Sequence, residues 1–411
     1  MSGRIISRPF DLRRIEDSGQ WKMIYGRRKT GKSFIVKNFL KYDKFFFVNR
    51  DSSVIDEQEN AYTYNEFFAI FKELFGEKTI AIDEFHRLPP GFQDFLHSAG
   101  VSGKLILITS TLWLANELLG KGSPLIGLVS PIRISQIDEA DILKALSPEL
   151  SGKNIIEAAT YLREPSLIPQ FNAKEMADFM TGYLSGNKFF IQNLIGEIFN
   201  EEEKELTNIY EGILKAVSFG KRTSTEITSY LFSRSIISKD SSSILPKYLG
   251  ALVSMGILEK LKVIEKNRFY YFHQSPVLDL HYYLDTKYSY VDVDTPSRYV
   301  REAIGYKMPF HVEQFFRNLL AKHFGMQCGI INTKDVEIDI ALLEFKKLGV
   351  VGEVKWKKHI DSKEISAIES KLGMFDCRKL LIIPTRDVLA REPKGIEVFD
   401  VKDILKLASK I

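Results

Sequence analysis

Cysteine is almost missing. Cys328 and Cys377 are the whole complement in 411 residues, and without a CxxC spacing they exclude both a disulfide framework and a cysteine-ligated zinc site. Each reads as a buried free thiol. Long apolar runs are missing too: no stretch of about 18 hydrophobic residues occurs, which excludes a helical membrane span. The basic opening MSGRIISRPFDLRR lacks the apolar core of a secretory signal, so the expectation is a cytoplasmic chain with no membrane partner. An excess of one charge is also lacking. The 57 Lys and Arg against 53 Asp and Glu leave +4, which permits a polyanionic partner without requiring one. Internal repeats and low-complexity tracts are absent.

What remains is an ordinary globular composition, 45% hydrophobic and 27% charged. At about 150 residues per domain the length suits two to three domains. From residue 20 to about 135, short apolar runs (WKMIYG, KFFFVN, TIAIDE, KLILITS) alternate with helical stretches (KSFIVKNFLKY, YNEFFAIFKELF). This pattern predicts buried parallel strands wound by helices, an α/β domain. Residues 138 to about 200 read as helical, a small bundle on that sheet, and the acidic NEEEKEL near 200–206 as a solvated helix start or hinge. Three helical stretches and an alternating hairpin, GILEKLKVIEKNRFYYFH, then give the outline of a winged helix. The polar DTKYSYVDVDTPSRYV reads as a connector. The expected domains are therefore 1–200, an α/β sheet with a helical subdomain; 205–285, a winged helix; 286–305, a linker; and 306–411, a second α/β unit.

GRRKTGKS, residues 26 to 33, satisfies G-x-x-x-x-G-K-[ST] between a predicted strand and a predicted helix. Gly26, Arg27, Arg28, Lys29, Thr30 and Gly31 form a loop whose backbone N–H groups turn toward phosphate. Lys32 then reaches the β and γ phosphates, Ser33 is placed as a Mg²⁺ ligand, and Phe34 follows on the helix. In TIAIDEF an apolar strand ends in Asp83 and Glu84. Alone, such an ending is a strand meeting a loop; some fifty residues after a phosphate loop it is the Mg²⁺ strand, with Asp83 holding the ion and Glu84 activating the attacking water. The next strand ends in Thr109, Ser110 and Thr111, and Ser110 is placed to sense the γ phosphate. The expected cofactors are ATP and Mg²⁺.

YGRRKTGKS, AIDEFHRLP, LILITSTLWLANELLGKGSPLIG and FYYFHQSPVLDLHYYL together resemble the archaeal ATPase family of AAA+/STAND-type P-loop NTPases. Its members often continue into a domain of restriction-endonuclease, or PD-(D/E)xK, fold. The resemblance implies an ATPase acting on DNA. Leu128 stands where the family tends to carry an arginine, with Arg133 nearby, and LREPSL replaces a glycine-rich turn, so Arg163 takes no family role.

In EIDIALLEFKKLGVVGEVKWKK, period two puts Glu353 and Lys355 on one strand face beside Asp339 across a turn. Two carboxylates there can clamp Mg²⁺ against a phosphate while Lys355 positions water or balances charge. EIDIAL and GEVKW match the family's EIDxxA and GExKW signatures, and the resemblance adds Glu313 as a further acid. Lys221, Arg222, Lys239, Lys247, Lys260, Lys262, Lys266 and Arg268 of the winged helix suit non-specific DNA phosphate contacts. The expected partners are ATP and DNA. The rival expectation is a STAND-like switch that self-associates or binds a protein, with a catalytically silent C-terminal docking or DNA-binding module.

Overall fold

WKMIY, KFFFV, TIAID, KLILIT and SPIR form β1 (Trp21–Tyr25), β2 (Lys44–Val48), β5 (Thr79–Asp83), β6 (Lys104–Thr109) and β7 (Ser130–Arg133). The apolar runs among them need no alternation because both faces of their sheet are covered. The computed structural model describes residues 5–112, 115, 123–172, 175–202, 204, 206–238, 245–264, 266–333 and 336–411. Lys239 and most of the WLANELLGKG stretch quoted above lie outside the described residues.

With β3 (Val54–Asp56) and β4 (Ala61–Tyr62) the first sheet runs β4-β3-β2-β5-β6-β1-β7. β2, β5, β6, β1 and β7 are parallel, and β3 and β4 extend one edge antiparallel. One face packs on α3 (Tyr64–Leu74) and α4 (Pro90–Ala99) through Phe67, Phe71, Phe92 and Leu96. The other packs on α1 (Pro9–Glu16) and α2 (Lys32–Phe39) through Ile15, Ile35 and Val36. The C-terminal ends of β1, β5 and β6 thus point to one edge, where ligands of such sheets bind.

The helical stretch after this sheet comprises α5 (Glu139–Leu146), α6 (Gly152–Leu162) and α7 (Met176–Glu201). It does not form a bundle on the sheet as expected. Its apolar faces share one continuous core with the rest of the chain: α8 (Asn208–Ser218), α9 (Ser224–Ser233), α10 (Leu245–Ser254), α11 (Pro276–Tyr288) and the 28-residue α12 (Ser297–Phe324). The linker expected over 286–305 is therefore mostly helical. Only residues 289–296 separate α11 from α12, and Val300, Ala303 and Ile304 are core residues of α12.

Between α10 and α11 lies the expected hairpin, β8 (Leu258–Lys262) and β9 (Phe269–His273). It docks on the last sheet, where Val263 bridges Ile330 and Ile264 N donates to Ile330 O at 2.8 Å. That sheet runs β10 (Gln327–Asn332), β11 (Glu337–Glu344), β12 (Lys347–Val354), β13 (Arg378–Ile382) and β14 (Glu397–Phe399) in order. The first three strands are antiparallel and the last three parallel. α13 (Ser362–Gly373) covers one face; α12 and α14 (Val401–Ala408) share the core on the other. No helix among the described residues is long and apolar enough to cross a membrane.

Candidate nucleotide cleft and C-terminal carboxylate site

The loop between β1 and α2 is built for close approach. A Cβ on Gly26 would lie 1.9 Å from the Ile134 carbonyl oxygen, and Gly31, at φ 88°, has the left-handed backbone that glycine tolerates. Lys29 also holds φ 64°. At the start of α2, Lys32 is 6% exposed. Its ammonium donates to the carbonyls of Gly26 at 2.8 Å and Arg27 at 3.1 Å, and burial pushes its pKa down to about 8. Arg28, Lys29, Gly31, Lys32, Ser33, Phe34, Asp83, Glu84 and Ser110 line one cleft of about 470 Å³.

Asp83 ends β5 with Ser33 hydrogen-bonded to it; burial nonetheless raises its pKa. An adjacent hydroxyl and carboxylate of this kind is a donor set that fits Mg²⁺. Glu84 sits at φ 56°, an uncommon conformation for a non-glycine residue. Ser110 Oγ donates to both of its carboxylate oxygens at 3.1 and 2.9 Å, and His86 Nδ1 lies 3.4 Å away, its pKa lowered by burial to about 4. The Ser110 hydroxyl therefore orients Glu84, while the neutral imidazole beside it is hydrogen-bonded to Thr109 Oγ1 at 3.0 Å.

Two loop residues behave differently from expectation. The Arg27 guanidinium turns away from the cleft to a buried pair in which Nη2 donates to both Glu164 oxygens at 2.8 and 2.9 Å, and Thr30 Oγ1 donates to Arg27 O at 2.8 Å. Their side chains hold the loop's shape and leave nucleotide contacts to the backbone. Leu128 packs into the apolar layer beside β1, where an arginine would be desolvated. Arg133 lies against Gly256 and Gln274, outside the cleft. Arg163 donates to Ile137 O and pairs with Glu139.

Sequence reading missed Phe47, Asn49, Arg50 and Arg87, which also line the cleft; position at the ends of β2 and β5 was their only signal. It also misjudged NEEEKEL. Glu201 ends α7 and Glu202 caps it, both largely buried. Arg28 pairs with Glu197 at 2.8 Å and with Glu201, and Glu202 accepts from Leu112 N.

Residues 18–121 match the AAA domain family. The matched residues carry most of the first, parallel-rich α/β sheet, the arrangement of a P-loop NTPase. Over 430 residues the chain is 24% identical to an uncharacterized protein, MJECL04, of Methanocaldococcus jannaschii, covering 93% of this chain and 94% of that one. Among solved structures, the Walker-type ATPase PABY2304 of Pyrococcus abyssi is 16% identical with TM-score 0.44, over 68% of this chain and 96% of that one. The ORC1 protein of Aeropyrum pernix, solved in complex with DNA, is 13% identical with TM-score 0.32, over 70% and 94%. The ORC2 protein of the same organism is 12% identical with TM-score 0.37, over 73% and 91%.

Beyond the AAA domain, the strand register pairs Ile340 with Gly352, so Asp339 and Glu353 meet across β11 and β12. Lys355 Nζ lies 2.7 Å from Glu353 and 3.8 Å from Asp339, which places both carboxylates on one side of the sheet. Val354 N donates to Asp339 at 2.9 Å. Glu353, 1% exposed, also accepts from Lys371 of α13 at 2.5 Å, a residue the sequence reading did not select. Glu313 lies near enough that, after burial, the Asp339 charge is what most raises its pKa; burial and then Glu353 raise that of Asp339. Yet among the described residues no group of three or more His, Cys, Asp or Glu side chains is arranged to hold a metal ion. The expected set of Glu313, Asp339 and Glu353 is thus not assembled as a triad: two lysines balance the Glu353 charge. The Asp339 and Glu353 pair still offers the hard oxygen donors that Mg²⁺ takes.

The basic residues expected on the winged helix are partly occupied. Lys266 and Arg268 donate to the Asn332 carbonyl of β10, Lys260 lies over Phe269, and Arg222 lies over Phe272. Lys221, Lys247 and Lys262 are exposed.

Proposed function

We propose that this chain is a Mg²⁺-dependent ATP hydrolase whose nucleotide state governs a DNA-acting, metal-dependent nuclease site on a C-terminal domain of PD-(D/E)xK type, joined through a winged helix at residues 205–285. One observation carries the first half: Lys32, Ser33, Asp83 and Glu84 converge on a single cleft at the C-terminal edge of parallel strands. In this reading backbone N–H groups of the loop and the Lys32 ammonium cradle the β and γ phosphates. Ser33 and Asp83 would hold Mg²⁺, which when bound would draw charge from the phosphates. Glu84, fixed by Ser110, orients a water for attack and takes up its proton at a carboxylate oxygen. An apolar cavity lined by Ile6, Phe34, Ile137, Pro165 and Ile168 adjoins the loop at Lys29 and Gly31 and suits a purine base.

The second half is supported by Asp339, Glu353 and Lys355 meeting on one sheet face. A silent docking module is the other reading, favoured by Trp356: its indole N–H donates to Glu157 of α6 at 3.0 Å and its ring packs on Phe316, so the opposite face of the same sheet is already docked within the chain. The test is phosphate release with Mg²⁺ and ATP, wild type against Lys32→Ala, together with Mn²⁺-dependent cleavage of several DNA forms by wild type, Asp339→Asn and Glu353→Gln. Turnover unchanged in Lys32→Ala overturns the first half. Absence of cutting, or cutting that survives both carboxylate changes, overturns the second.

A further inference from the structure

The 26-residue α7 holds the cleft with one end and the rest of the molecule with the other. At its C-terminal end Glu197 and Glu201 pair with Arg28 of the phosphate loop, Glu201 also lies 4.0 Å from Arg87, and Glu202 accepts from the backbone just after β6. Arg28 and Arg87 both line the nucleotide cleft. The Glu201 side chain is 9% exposed, and its Oε2 is buried with no hydrogen-bond partner. It is a carboxylate held inside a cationic pocket with one oxygen unsatisfied, a costly arrangement.

The helix is also broken. Asn187, at φ −122° and ψ 18°, leaves the helical conformation in its middle, and its Nδ2 donates to Tyr183 O at 3.0 Å. This supplies the bond that an unbroken helix would make through its backbone. The half before the break is tied to α12 by Arg301, which pairs with Asp178 and with Glu175 at 3.5 Å. The half after it ends in the three glutamates. α12 continues from Arg301 to Glu313, beside Asp339.

We propose that Glu201 is an internal stand-in for phosphate, that an incoming nucleoside triphosphate displaces it from Arg28, and that the half of α7 after Asn187, packed in the shared core through Ile191, Ile195 and Phe199, shifts about Asn187 and passes the nucleotide state to α12. The inference rests on the reading of the cleft as an ATP site. A triphosphate brings several negative charges to the arginines that Glu201 neutralises, and two anions cannot share them without mutual repulsion. Because the ligand acts by replacing one set of contacts with another, it has the differential affinity that a shift between two states requires.

The experiment uses the full chain, with Cys328 and Cys377 replaced by serine and spin labels at two exposed positions, 73 on α3 and 193 on α7 (Glu73→Cys, Asn193→Cys). Fluorescent ATP binding and the label distance are measured for this background and for the same background with Glu201→Gln, which keeps the side-chain shape. The expected results are an ATP-dependent distance change in the background, the changed distance already populated without ATP in Glu201→Gln, and ATP affinity about tenfold tighter in that variant, because the internal competitor is weakened. Equal affinity in both proteins with no change in distance overturns the inference while leaving the ATP site intact. Failure of the background protein to bind ATP overturns the cleft reading and the inference together. A melting temperature for Glu201→Gln equal to that of the background separates competition from misfolding. Asn187→Ala, which restores a helix former, should reduce the distance change and leave ATP affinity within about twofold.

Discussion

Replacing Lys32 with methionine should strengthen the free protein while destroying its response to ATP. The lowering of the Lys32 pKa from 10.5 to about 8 means that the fold bears roughly 3 kcal/mol of charge burial at neutral pH, at about 1.36 kcal/mol per pH unit. The folded state releases the proton first, so the penalty is complete below pH 8, shrinks as pH rises, and is gone above 10.5. Methionine removes it but abandons two backbone carbonyls, Gly26 O and Arg27 O, at about 1 kcal/mol each. The net is about 1 kcal/mol in favour of the variant at pH 7, or about 2–4 °C in melting temperature for a domain of this size. Near pH 10.5 the sign reverses and the wild type is the more stable. ATP at about 100 times its Kd should add about 2.7 kcal/mol to the wild type and nothing to the variant. Thermal melting of the full chain, with and without Mg²⁺ and ATP at both pH values, reads all four quantities. Equal protection of both proteins by ATP would refute the assignment of the loop, and a variant markedly less stable at pH 7 would refute the buried-charge argument.

Other consequences concern the junctions. Asp279 accepts from Lys307 at 2.7 Å and from His311 at 2.8 Å. Burial alone would raise its carboxyl pKa, but the Lys307 charge and then the His311 hydrogen bond hold it far below the usual carboxylate range. Asp279→Ala should therefore cost about 3–5 kcal/mol in urea unfolding by leaving Lys307 unpaired, and the wild type should lose this contribution as pH falls below about 4. Trp356→Ala should cost about 3–5 kcal/mol and make the C-terminal domain more susceptible to limited proteolysis, since the indole both packs on Phe316 and binds Glu157. Glu353→Leu should lower stability more than Glu353→Gln, because Lys355 and Lys371 would face an apolar group, and comparative melting checks the order.

Much of the first sheet was legible because its signals are local. Apolar runs flanking GRRKTGKS required a strand, a turn and a helix in that order, and the distance of TIAID from that loop marked its terminal acid as a cleft residue. That Asp339 and Glu353 sit on neighbouring strands was also legible from period two and a short turn, but their direct pairing depends on a register shift between Leu342 and Leu343 that the turn alone does not give. The roles of Arg27, Leu128 and Glu201 depend instead on residues far along the chain: Glu164 takes the first, the apolar layer of the sheet takes the second, and Arg28 takes the third. NEEEKEL looks solvated because a run of acids ordinarily is. Residues 297–305 looked like linker because DTPSRYV is polar at its start, yet Val300, Ala303 and Ile304 continue a helical face that α7 and the shared core bury. Lys371 carried no sign that α13 would turn it toward Glu353.

The most direct test of the central claim is steady-state phosphate release by the full chain with Mg²⁺ and ATP, beside ATP binding, for wild type and Glu84→Gln. The account predicts turnover by the wild type and, in Glu84→Gln, retained ATP binding with turnover reduced by about 100-fold or more, because the group that orients and deprotonates water is lost while the phosphate cradle stays. A wild type that binds ATP without releasing phosphate, or a Glu84→Gln protein that turns over as the wild type does, would contradict it.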